Sequence, residues 1–318
     1  MADVPELVER AQGGDPRAVA RLISLVEDGS SQLREAMALL APRAGRARVI
    51  GLTGSPGVGK STTTTALVGE FRRRGERVGV LAVDPTSPFS GGALLGDRVR
   101  MQEHATDPGV FIRSMATRGH LGGLAWTTPQ ALRVLDGSGF DVVLIETVGV
   151  GQSEVEVAGT ADTVVVLLAP GMGDGVQAAK AGILEIGDVY AVNKADREGA
   201  DNTARELRHM LTLGERRPDV AGWTPPVVKT VASRGEGVPE LVEALDAHRT
   251  WLVESGAMAR RRLRRASAEI EAIALATLRG RMAGLQDGSR VIELAGLVVG
   301  GLLDPYAAAD ELVAGLTS

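Results

Sequence analysis

No cysteine occurs in the 318 residues, which excludes a disulfide framework, a thiolate zinc site and a cysteine nucleophile. Such a chain suits a reducing compartment, and the cytoplasm is the expected location. Histidine is scarce as well. His104, His120, His209 and His248 stand singly along the chain, so a cysteine–histidine metal relay has no residues to build it. Apolar runs stay short: Val164 to Ala169 falls far below the roughly 20 residues of a membrane span. The first residues, MADVPELVER, lack the basic-then-apolar order of a signal peptide, so neither export nor anchoring is expected. A net charge of −5 disfavours general affinity for nucleic acid. The local basic run Arg260-Arg261-Arg262-Leu263-Arg264-Arg265 runs against that balance; it reads as a solvated helix face or a contact for an acidic partner.

What is present is enough apolar residue, 44%, for one large core with appendages. Short β-branched runs alternate with longer helical patterns, which predicts a doubly wound α/β fold with a mostly parallel sheet of about seven strands. The strands read Val49–Leu52, Val78–Val83, Val110–Arg113, Val142–Glu146, Val164–Ala169, Val189–Asn193 and Val227–Val231. Their continuous apolar character fits burial on both faces. Helices are expected over Ser61–Arg74, Pro129–Asp136, Val176–Ile186, Asn202–Leu213 and Val238–Val253. Residues 1–45 and 255–318 show helical spacing without strands. The expected organisation is therefore an N-terminal helical extension (1–45), a P-loop nucleotide domain (46–254) and a C-terminal helical arm (255–318). Asp15-Pro16 has the form of an N-cap followed by proline at the first helical position, and Pro42 to Gly45 that of a linker. Leu297 to Gly301 suggests a tight turn between packed apolar elements.

The stretch GSPGVGKS, residues 54–61, fits G-x-x-x-x-G-K-[ST] between a strand and a helix. Gly54, Gly57 and Gly59 let the backbone through Ser55, Pro56 and Val58 curl so that its N–H groups, of which Pro56 has none, face phosphate oxygens. The helix start at Lys60, Ser61 and Thr62 adds its positive end. Lys60 would reach the β- and γ-phosphates, and the Ser61 hydroxyl would ligate Mg²⁺. Asn193-Lys194-Ala195-Asp196 follows a strand at the end where open α/β sheets bind ligands. A carboxylate at Asp196 accepts from guanine N1 and its exocyclic amine, a donor pair that adenine lacks, so GTP is expected over ATP. Asn193 would brace that loop and Lys194 would lie over the base. Ser233-Arg234-Gly235, after the last strand, is placed to offer N–H groups to guanine O6.

Acids for a Mg²⁺–triphosphate site lie between these motifs: Asp84, Asp97 and Glu146. In E-T-V-G, Glu146 stands where small GTPases usually carry aspartate, and Gly149 would sense the γ-phosphate. The catalytic candidates are thus Lys60, Glu146 and Gly149. Ras-like enzymes place a water-orienting glutamine after that glycine, whereas this chain has Val150, so slow intrinsic hydrolysis is expected. Gln152 and Glu154 lie close by and read as a solvent-facing helix start or as groups that move in when a partner docks.

The stretches GLTGSPGVGKST, VLAVDPTSPFSGGALLGDRVRM, SMATRGHLGGLA, VVLIETVGVGQSEVEVAGTADTVVVLLAPGMGD and VNKAD together resemble the MeaB, MMAA and ArgK group of GTPases. These are chaperones of adenosylcobalamin-dependent methylmalonyl-CoA mutase. The resemblance covers about Arg48 to Ala247. It implies a first switch at Asp84–Arg100, a second at Glu146–Gly151 and a third, partner-sensing one at Ala169–Lys180, which includes Asp174 and Lys180. It also implies GTP/GDP and Mg²⁺ as ligands, cobalamin only through the partner mutase, and a homodimer joined by the C-terminal arm. Neither nucleic acid nor membrane is an expected partner. Two other classes share the cradle. A P-loop kinase acting on a small or protein acceptor would not explain Asn193 to Asp196, and a metal-insertion GTPase would need the missing cysteines. A GTPase of the signal-recognition kind would need a broad basic face and a methionine-rich helical domain, neither suggested by the composition.

Overall fold

A computed structural model describes residues 3–85, 104, 106–117, 127–147, 157, 159–171, 183–213, 222–284 and 289–314. Three short helices open the chain: α1 Val4–Gln12, α2 Pro16–Glu27 and α3 Leu33–Leu40. Asp15 caps α2 by accepting from the Arg17 N–H (2.8 Å), and Pro16 occupies the first helical position, where its missing N–H costs nothing. There follow β1 (Arg48–Gly54), α4 (Lys60–Arg73), β2 (Val78–Pro85), β3 (Val110–Thr117), α5 (Thr127–Gly137), β4 (Val142–Thr147) and β5 (Thr163–Leu168). The core closes with α6 (Ile183–Ile186), β6 (Val189–Asn193), α7 (Ala200–Leu213), β7 (Val227–Thr230) and α8 (Val238–Glu254).

The seven strands form one sheet in the order β3-β2-β4-β1-β5-β6-β7, and every neighbouring pair is parallel. Side chains alternate between the two faces of a strand, and each face has its own core. Val49, Val143, Ile145, Val164 and Val166 join α1, α2, α3 and α5 on one side. Ile50, Val142, Leu144, Val165 and Leu167 join Leu67, Val68 and Phe71 of α4 and Leu241, Val242 and Leu245 of α8 on the other. The opening helices thus cover one face of the sheet. An ion pair between Arg113 on β3 and Glu27 on α2 adds a polar tie. The carboxylate of Asp136, on α5, accepts from the N–H groups of Arg46 (3.0 Å) and Ala47 (2.8 Å) and so fixes the entry into β1.

Residues 1–262 form one compact unit and 263–318 a second. The helix α9 (Ala257–Gly284) begins in the first. Its basic run is not simply solvated. Arg261 donates twice to the Asp188 carboxylate (2.8 Å each) and to the Asp162 carbonyl (2.7 Å). Arg262 donates to the Asp162 carboxylate (2.8 Å) and the Ala47 carbonyl (2.9 Å). Asp162 and Asp188 precede β5 and β6 and also accept from the Val49 (3.2 Å) and Val164 (2.9 Å) N–H groups. Two arginines at adjacent positions are therefore clamped to buried carboxylates at the N-terminal ends of central strands.

In the second unit, α10 (Ser289–Val299) and α11 (Pro305–Ala314) pack on each other. The expected turn is present, closed by Gly301 N–H on Val298 O (3.1 Å) and Leu302 N–H on Leu297 O (2.9 Å). Its surroundings differ from expectation: Val299 and Leu302 are exposed within this chain. Leu263, Ile270 and Leu278 also lie exposed along α9. Among the described residues no helix is long and apolar enough to cross a membrane.

Candidate functional site

The loop between β1 and α4 curls through three glycines with positive φ: Gly54 (145°), Gly57 (81°) and Gly59 (95°). An L side chain is strained there. At Gly59 space is also denied, because a Cβ would lie 2.4 Å from Asn193 Nδ2. Gly59 immediately precedes α4, so the N-terminal, positive end of that helix faces the curl.

Asn193, at the end of β6, is a brace between loops. It donates to the Val58 carbonyl (2.9 Å) and accepts from Thr230 Oγ1 (3.2 Å) and the Ala232 N–H (3.1 Å). Lys194 adopts a positive φ of 57° and its ammonium donates to the Gly57 carbonyl (2.6 Å). The N-K-x-D loop is thus tied to the glycine loop through two side chains, although 135 residues separate Asn193 from Val58. Asp196 is exposed and pairs with the Arg234 guanidinium (3.0 Å). The short turn Ala232–Arg234 uses the Arg234 and Gly235 N–H groups for its own bonds to Val231 O (2.9 Å) and Ala232 O (3.2 Å). The Arg234 side chain is also turned towards the base loop, where it meets Asp196.

Lys60 and Ser61 are each 8% exposed. The Lys60 ammonium donates to the Gly54 (2.7 Å) and Ser55 (3.2 Å) carbonyls, inside the curl. Glu146, 2% exposed, is the penultimate residue of β4 beside β1, where it is level with Leu52. Its Oε1 accepts from the Ser61 hydroxyl (2.6 Å) and its Oε2 from Thr64 Oγ1 (2.9 Å). A hydroxyl and a carboxylate on adjoining elements are hard oxygen donors of the kind Mg²⁺ takes, with phosphate oxygens and waters completing its shell. Glycines, buried ammonium and oxygen pair together fit a magnesium–nucleotide ligand.

Asp84 lies on β2, two residues beyond the register partner of Glu146, which is Ala82. Asp97, Gly149, Gln152, Glu154, Asp174 and Lys180 lie outside the described residues. Ser55, Pro56, Gly57, Val58 and Thr62 all belong to the curl or the first turn of α4, with Val58 buried and Thr62 exposed. Thr64 was not singled out by the sequence. Its only signal is its place in the run Thr62 to Thr65, and periodicity puts it on the Ser61 side of the helix.

A glycine loop braced by the loop that would read the base is the arrangement of a P-loop GTPase. Relatives share this class: a putative GTPase of Pyrococcus horikoshii is 50% identical over 98% of this chain and 97% of its own length. GTPase ArgK of Escherichia coli is 37% identical, covering 80% of this chain and 78% of its own. A mouse protein named methylmalonic aciduria type A homolog, mitochondrial, is 38% identical over 78% of this chain and 64% of its own. The chain belongs to the MeaB family, described as methylmalonyl-CoA mutase-associated GTPase MeaB, whose profile matches residues 19–286. The crystal structure of a LAO/AO transport system kinase has the same fold, with a TM-score of 0.72 at 24% identity over the whole of both chains.

Proposed function

We propose that this GTPase is a chaperone of an adenosylcobalamin-dependent acyl-CoA mutase, methylmalonyl-CoA mutase in the first instance, whose cofactor loading and reactivation are gated by GTP hydrolysis. The observation that carries this reading is the family match over residues 19–286, joined to a nucleotide site whose parts are mutually braced. In this reading Lys60 neutralises the β- and γ-phosphates, Ser61 and Glu146 hold Mg²⁺ with Asp84 and Asp97, and Asp196 reads guanine. The stretch from Asp84 to Lys180 carries nucleotide state to the mutase, and cobalamin is met only in the partner. Hydrolysis by the isolated protein is slow because Val150 stands where a water-orienting glutamine would be. Residues 255–318 form the arm through which two copies join, with the exposed Leu263, Ile270 and Leu278 of α9 supplying apolar area. The cytoplasm is the proposed location.

The test is affinity capture from a cell extract with the protein loaded with GTP analogue or with GDP, followed by hydrolysis rates with the recovered partner. Recovery of an acyl-CoA mutase that accelerates turnover is the expected result. If no such mutase is recovered, and purified mutase leaves the rate unchanged, the chaperone assignment fails.

The base assignment has a separate check. Asp196→Asn should weaken GTP binding by about 1–3 kcal/mol through the lost paired hydrogen bonds and should improve xanthosine triphosphate relative to GTP. Competition binding measures both. Equal competition by ATP and GTP in the parent protein would remove the guanine argument.

A further inference from the structure

Glutamate at position 146 has one more rotatable bond than the aspartate usual there, and a metal shell needs its carboxylate held still. Ser61 anchors only one oxygen, Oε1 (2.6 Å). The other oxygen has its own donor one turn along α4, Thr64 Oγ1 at 2.9 Å. Positions three apart on a helix share a face, so Ser61 and Thr64 act as two prongs on one carboxylate. Thr64 is fully buried, and its hydroxyl also lies 3.1 Å from the Lys60 carbonyl. Thr63 and Thr65 bond the carbonyl four residues back in the same way, to Gly59 (3.0 Å) and Ser61 (2.9 Å). Only Thr64 reaches a carboxylate besides. It has one proton, and a charged acceptor at the shorter distance takes it.

We propose that Thr64 is the positioning residue for the metal site: it holds the second oxygen of Glu146 so that the first stays aligned on Ser61. The proposal rests on the reading of Ser61 and Glu146 as the magnesium pair. It accounts for the tolerance of glutamate at this place, because the added bond is locked by an added donor. When the carboxylate shifts during the nucleotide cycle, Thr64 turns its proton to the Lys60 carbonyl and stays satisfied.

Thr64→Val keeps the branched shape and puts a methyl in place of the hydroxyl, so the donor is lost while the buried space stays filled. With saturating GDP, Mn²⁺ affinity followed by electron paramagnetic resonance should weaken about tenfold, the scale for a hydrogen bond to a charged group. GDP affinity in excess chelator should stay at the parent value, and Thr64→Ser should restore the metal affinity. Parent-like Mn²⁺ affinity in Thr64→Val, alongside weakened affinity in Ser61→Ala, overturns the proposal while leaving the metal reading intact. An equal loss of GDP affinity in chelator also overturns it, since Thr64 would then shape the cradle. If Ser61→Ala and Glu146→Gln both bind Mn²⁺ like the parent, the metal reading fails and the proposal with it.

Discussion

Lys60→Ala is expected to reduce GTP hydrolysis by at least about a hundredfold, the scale seen when one preorganised donor to developing charge is removed. The ammonium sits inside the curl, 2.7 Å from the Gly54 carbonyl and 3.2 Å from that of Ser55. The fold itself therefore holds the ammonium inside the curl, where the phosphates of a nucleotide would lie. Lys60→Arg should rescue little, because a planar fork cannot stand in for a compact charge in a curl this narrow. Single-turnover hydrolysis, with and without partner, is the measurement. Parent-like rates in Lys60→Ala would remove the lysine from the chemistry.

The sheet was legible because parallel strands buried on both faces read as unbroken apolar runs. Val189–Asn193 was bounded as the structure has it, and Val227–Val231 ran one residue long. The alternation that sends Val49 to one core and Ile50 to the other does not show in such runs, since both positions are apolar. Periodicity announced α1 to α3 without saying where their apolar faces land. That is a long-range fact, settled by the surface that strands β1, β4 and β5 leave open. The glycine loop and the N-K-x-D loop were legible as separate motifs, each with its own chemistry. The brace between them was not: a Cβ at Gly59 is forbidden by Asn193, so that glycine serves the base loop as well as the phosphate curl. Thr64 escaped notice because a threonine on a helix is ordinary until a carboxylate from another strand arrives beside it.

The basic run shows the same limit with a larger energetic consequence. From sequence, Arg261 and Arg262 stand in a run of arginines with no carboxylate beside them. Their partners Asp188 and Asp162 lie 73 and 100 residues away. Asp188 is fully buried, and His248, itself buried, lies 3.6 Å from it with its Nδ1 hydrogen-bonded to Thr163 Oγ1 (2.9 Å). Trp223 and Trp251 flank the His248 ring, and Trp223 donates to the Asp188 carbonyl (2.8 Å). Burial by itself pushes the Asp188 carboxyl up; the hydrogen bonds and charge of Arg261, the His248 ring and the Val164 N–H outweigh it and hold the group below the ordinary carboxylate value. Arg261→Ala removes the bidentate partner and should destabilise the first unit by about 3–5 kcal/mol near pH 7, the scale for breaking a buried pair from one side.

The pH dependence follows from the same shift. In the parent, a depressed carboxyl gives stability that is present above the ordinary carboxylate pKa and lost as pH falls through the lower folded value. Without Arg261 the folded carboxyl moves up, so the variant's deficit is largest near neutrality and narrows as acid protonates Asp188. Asp188→Asn combined with Arg261→Ala should recover part of the loss, because no unpaired charge then remains to be buried. Urea unfolding followed by tryptophan emission reads the clamp directly, as two of the three tryptophans border it. GTP affinity under native conditions should be unchanged, because the clamp grips the strand ends opposite those that carry Gly54 and Asn193. A variant as stable as the parent at pH 7 would mean that α9 can leave the strand ends without cost, and the arginine pair would return to being a solvated face.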